Sequence, residues 1–176
     1  MKDRRVTRMA TIIMLLTVAY TIYMPLSILW WLVPFAFGDP DQWVSLAFVD
    51  AEVIPMWTRG LYFAVWMTTI VGGLLSLLAA LKVLNIYRRG AYFSEDAFRW
   101  IMRLGVLIVA AMLADTLVGA TNTAILTMHN SVGQREVALY IDNGDISLAL
   151  CGLGFCMIGW VLKIAIGMKA ENESFV

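Results

Sequence analysis

Two stretches of this chain lack charge for long enough to decide its class. Met9–Gly38 holds no Asp, Glu, Lys or Arg, and neither does Gly60–Leu81. A bilayer-spanning helix needs about 20 consecutive apolar residues, so each run can span. Composition agrees: 61% of the 176 residues are hydrophobic and 15% charged, against about 45–50% and about 25% in soluble domains. The first run is too long for a signal-peptide core and has no small-residue cleavage site, so it reads as a retained span.

Hydropathy predicts an all-α, polytopic membrane protein, with four transmembrane helices over about 9–31, 60–84, 101–127 and 146–168 in an antiparallel bundle. No repeat or low-complexity tail divides it, and residues 1–176 read as one domain. Orientation follows from Lys and Arg near the span ends. Eleven of the thirteen fall on one side: Lys2, Arg4, Arg5 and Arg8 at the N-terminus, Lys82, Arg88, Arg89, Arg99 and Arg103 around the middle connection, and Lys163 and Lys169 near the C-terminus. Only Arg59 and Arg135 fall on the other. Both termini and the middle connection are therefore expected in the cytoplasm. Trp30, Trp31, Trp43 and Trp57 collect at the expected outer surface and Trp100 at the inner one, at headgroup depth. Pro25 is a candidate kink, and Pro34 with Gly38 and Pro40 marks the expected exit of the first span. Asp39–Thr58 reads as a surface or capping segment.

Several functions are disfavoured. Formal net charge is zero, which argues against direct nucleic-acid binding. One histidine and two cysteines exclude a multi-histidine metal site. Cys151 and Cys156 lie about 140° apart around one helix, so they do not bridge. No nucleophile–base pair, phosphate-binding glycine loop or carboxylate pair appears. The expectation is a protein without catalysis, cofactor or metal. His129, alone in the third connection, reads as solvated.

Two stripes of small residues suit close helix packing. One runs through Gly152, Cys156, Gly159, Lys163 and Gly167, the other through Thr69, Gly72, Gly73, Ser76 and Ala80. They fit a seam inside one chain or a dock for another subunit, and the sequence leaves both open. The third span carries a polar sector of Asp115, Thr116, Gly119, Asn122 and Thr123. Asp115 lies roughly 18 Å into that span, where an ionised carboxylate costs on the order of 3 kcal/mol. It is expected to face the bundle interior or carry a proton. An interhelical hydrogen-bond cluster and a proton, ion or ligand site both fit.

The middle connection reads as a tight helical hairpin. Arg88 and Arg89 suit the negative end of the second helix, Gly90 suits the residue just past it, and Ser94 suits an N-cap followed by Glu95 and Asp96 in the first turn. Tyr92 and Phe93 are the residues that a turn alone does not require. The stretch "YRRGAYFSEDAFRWIMRLG" resembles the signature of a bacterial membrane family, the domain of unknown function 2975. The ending "LALCGLGFCMIGWVLKIAIGMKAENESFV" is similar to that family's last span and short acidic tail. The matching positions are Arg89, Gly90, Phe93, Ser94, Gly105, Gly152, Gly167, Glu171, Asn172 and Glu173, and the resemblance extends to the four-span layout. The basic "MKA" before the tail departs from the family pattern. The resemblance implies a bacterial inner-membrane protein acting as partner or antagonist of a small cytoplasmic helix-turn-helix regulator. Two further readings stand beside it: an accessory subunit packed into a larger membrane complex, and a small transporter or ligand-binding bundle centred on Asp115.

Overall fold

The computed structural model describes residues 4–37 and 54–174, and among these the regular structure is entirely helical. Four helices follow in order: α1 (Arg4–Phe37), α2 (Met56–Arg88), α3 (Glu95–Thr127) and α4 (Asn143–Ser174). All four are long and apolar enough to cross a bilayer, which makes this a multi-pass membrane protein. Most of Asp39–Thr58 and Trp43 lie outside the described residues.

Each helix outlasts its apolar run. With 32 to 34 residues apiece, they measure about 50 Å, against a hydrocarbon core of about 30 Å. Hydropathy marks only the part that lipid touches, whereas the backbone ladder continues through the headgroups until a cap ends it. α1 runs through Pro34 to Phe37, next to Gly38 in the sequence. Glu171, Asn172 and Glu173 of the acidic tail continue α4 as its last turn. α4 begins on a reciprocal cap, with Asp142 N donating to Asp145 Oδ2 at 3.0 Å and Asp145 N to Asp142 Oδ1 at 2.9 Å. That cap satisfies donors the first helical turn leaves orphaned.

Packing follows chain order: α1 lies on α2, α2 on α3, and α3 on α4. A Cβ placed on Gly73 would lie 2.7 Å from Met24 Cε, one on Gly72 3.4 Å from Ala111 Cβ, and one on Gly159 3.2 Å from Met102 Cβ. Trp57 meets His129 and Thr69 meets Asp115. Along α2–α3 and along α3–α4, the numbering of these contacts rises on one helix as it falls on the other. The core gathers near the α2–α3 turn, where Ala79, Val83, Ile101 and Leu104 are buried beneath Tyr87, Trp100, Phe155 and Leu162.

The small-residue stripes serve these internal seams. Gly152, Cys156 and Gly159 press on α3, while Gly72 and Gly73 receive α3 and α1. Ser76 donates to the Gly72 carbonyl of its own helix at 3.1 Å. Gly167 meets nothing within 4 Å, and Lys163 is exposed. The mate of the α4 stripe is Gly105, which no stripe on α3 announces.

Ser94 sets the start of α3. Its hydroxyl accepts from Ala97 N at 3.1 Å and donates to Ala91 O at 2.9 Å. Ser94→Ala is expected to cost about 1 kcal/mol, lowering the melting temperature in detergent by about 2–4 °C. Ser94→Asp, which keeps the acceptor, is expected to restore most of it. Thermal unfolding followed by circular dichroism checks both.

Candidate functional site at the α2–α3 turn

The turn is fixed by its own backbone. Gly90 takes φ +82°, a left-handed conformation that a Cβ disfavours. Gly90 N donates to Tyr87 O at 3.0 Å and Ala91 N to Ile86 O at 3.3 Å. This pair of bonds is the Schellman closure, satisfying carbonyls that the end of α2 leaves open. Four residues later Ser94 caps α3.

On this frame sit two aromatics with different roles. Tyr92 stands edge-on to Tyr87, with ring centroids 5.6 Å apart at 80°, and its hydroxyl is enclosed without a hydrogen-bond partner. Phe93 is 66% exposed. An apolar ring held outward on a capped turn has no part in the core. At this end of the hairpin, Arg88 Nη2 donates to Asn85 Oδ1 at 3.3 Å, Arg99 pairs with Glu95 at 2.6 Å, and Arg103 lies 5.0 Å over the Trp100 ring. Arg88 and Arg89, on the same turn, are exposed. The α3–α4 register, with Gly105 against Cys156 and Gly159 against Met102, carries the exposed Glu171 past the start of α3. Hairpin and helical tail therefore share one end of the molecule. The side chains of Asn172 and Glu173 lie outside the description.

The polar sector of α3 is arranged differently from the expectation. Asp115 is exposed rather than interior, and its Oδ1 accepts from Thr69 Oγ1 of α2 at 3.1 Å. Thr116 and Thr123 donate back to their own helix, to Met112 O at 3.2 Å and Gly119 O at 2.9 Å. Asn122 is 6% exposed and its Oδ1 has no partner. The five residues share a sector without forming one network. At 100° per residue, Asp115 and Gly119 fall between the face α3 shows to α2 and the face it shows to α4. Near the turn, Ile101, Ile108, Phe155 and Leu162 fill that groove. Beside Asp115, Gly119 and the small Thr69 leave it open, and a Cβ on Gly119 would meet nothing within 4 Å.

His129 was expected to be merely solvated, and the structure corrects this. Its Nε2 lies 2.8 Å from Thr58 Oγ1, and its ring meets Trp57 at 5.5 Å and 78°. Thr58 is fully buried. No local pattern signals a contact across 71 residues of chain. Among the described residues, no group of three His, Cys, Asp or Glu could hold a metal ion.

No curated protein and no solved structure matches the chain. One family model does, over residues 40–176. That stretch contains α2, the capped turn, α3 and the α3–α4 glycine seam, while α1 precedes it. The chain belongs to the family described as Protein of unknown function (DUF2975).

Proposed function

We propose that this protein works without catalysis in a bacterial inner membrane, as the membrane partner or antagonist of a small cytoplasmic helix-turn-helix regulator. Both termini and the α2–α3 turn face the cytoplasm in this reading, as the Lys and Arg distribution supports. The observation that carries it is Phe93, an exposed aromatic on a turn held by Gly90 and Ser94 that also exposes Arg88 and Arg89. Aromatic and arginine side chains on ordered surfaces are the usual anchors of protein interfaces. Affinity purification of the full chain in mild detergent tests it. A small DNA-binding protein is expected to co-purify. Phe93→Ala and Arg89→Gln should each reduce its recovery about tenfold, the effect of losing one anchor of 1–2 kcal/mol. Unchanged recovery in both variants, or no such partner, ends this reading.

A second reading, an accessory subunit of a larger membrane assembly, is favoured by Asp115. An exposed carboxylate halfway along an apolar helix is costly against lipid, and a helix from another subunit laid into the open groove removes that cost.

A further inference from the structure

A cleft of about 670 Å³ is lined by residues of α1, α2 and α3. Its walls are apolar: Met14 and Val18 from α1, Leu75 and Leu78 from α2, and Leu107 from α3. Polarity gathers at one end, where Lys82, Asn85 and Arg88 form the rim beside the Trp100 ring, and no acidic side chain lines it. Lys82 and Arg88 are exposed, and Arg88 donates to the Asn85 side chain. The α1–α2 register carries Arg8, also exposed, to the same end.

The dimensions are those of one leaflet. Leu75 lies seven to ten residues below Lys82 and Asn85, or about 10–15 Å along α2, and half of a 30 Å hydrocarbon core is about 15 Å. A phospholipid carries hydrocarbon along its length and charge at one end, as this cleft does in complement. Basic pockets between transmembrane helices suit anionic headgroups. We infer that this cleft is a binding site for an anionic phospholipid, its phosphate between Lys82 and Arg88 and an acyl chain along Leu78 and Leu107. The inference rests on the helices spanning a bilayer and is independent of the regulator reading.

Native mass spectrometry of the detergent-solubilised full chain, titrated with phosphatidylglycerol or phosphatidylcholine, tests it. Phosphatidylglycerol should bind about tenfold more tightly. A basic side chain near the surface is worth about fivefold to an anionic lipid, so the double variant Lys82→Gln/Arg88→Gln should lose about 25-fold. Lys163→Gln, an exposed lysine on α4 away from the cleft, should bind as the parent does. Leu78→Trp, which fills the cleft and leaves its charges, should weaken both lipids. Helical circular dichroism verifies that each variant folds. Equal binding of the two lipids, an unaffected double variant, or an equal loss in Lys163→Gln overturns the site. Displacement of the lipid by soluble glycerol phosphate at comparable concentration would make it a free-phosphate site and also overturn it. So would a dimer that dissociates in the double variant, which would put a second copy in the cleft.

Discussion

Gly105→Leu is expected to separate α3 from α4 and abolish the folded monomer. Even a single methyl has no room. A Cβ on Gly105 would lie 2.5 Å from Gly152 O, 2.6 Å from Cys156 Sγ and 2.8 Å from Cys156 N. Two of those atoms are backbone and cannot rotate away. The approach is reciprocal, since a Cβ on Gly152 would meet Gly105 O at 2.9 Å. In lipid, apolar surface gains nothing by leaving its solvent, and close van der Waals contact takes over as the force between helices. Separating the backbones weakens every contact along the seam. Gly105→Ala should therefore cost about 1–3 kcal/mol, the range for overpacking, and lower the melting temperature by roughly 2–4 °C per kcal/mol. Gly154→Ala and Gly167→Ala meet open space and should be neutral or stabilising by up to about 1 kcal/mol, the helix propensity gained. Thermal unfolding of the four variants in one detergent decides the matter. If Gly105→Ala melts with Gly154→Ala, the seam is not held by close approach.

That seam also marks where sequence stops being informative. Gly152, Cys156 and Gly159 recur at helical spacing, so their shared face is legible. Gly105 has only the large Ile101, Met102, Ile108 and Val109 at helical spacing, and what makes it a packing residue is a crossing point set by two helices together. The turn was legible in detail because Gly90 and Ser94 act through hydrogen bonds a few residues long. The Thr58–His129 contact was not, because it joins segments that have nothing in common until α2 and α3 pack. Helix ends lie beyond the spans for a related reason: hydropathy senses lipid, whereas the Schellman closure at Gly90 and the Asp142–Asp145 cap bound their helices in the polar zone. Asp115 is the most instructive residue. Its face followed from spacing, but whether that face is closed depends on the bulk opposite. Thr69 and Gly119 supply too little, and α2 and α4 do not close over them.

Asp115→Leu is expected to leave the fold intact and remove the protein from any larger assembly. Its carboxylate accepts from Thr69 Oγ1 at 3.1 Å, and interhelical hydrogen bonds of this kind average about 0.6 kcal/mol in membrane proteins. Its burial cost is larger: an aspartate at the helix centre costs on the order of 3 kcal/mol on insertion scales. A helix that fills the groove and offers Asp115 a polar partner recovers that amount. Since 1.4 kcal/mol is a factor of ten, association should weaken more than about 100-fold when leucine removes the demand for cover. Asp115→Asn can still accept from Thr69 and bond a neighbour, so it should stay within about tenfold of the parent. Gly119→Leu, which plugs the groove from α3, should act like Asp115→Leu although it changes no charge. Native-gel mass after extraction from the host membrane reads all three, with melting temperature as the fold control. Parent-like mass in both leucine variants would show that lipid covers the groove, and the assembly reading would fall. Dispersal in both at unchanged melting temperature would identify the open flank beside Asp115 as the place where another helix binds, because only a missing neighbour is sensitive to both the carboxylate and the empty space next to it.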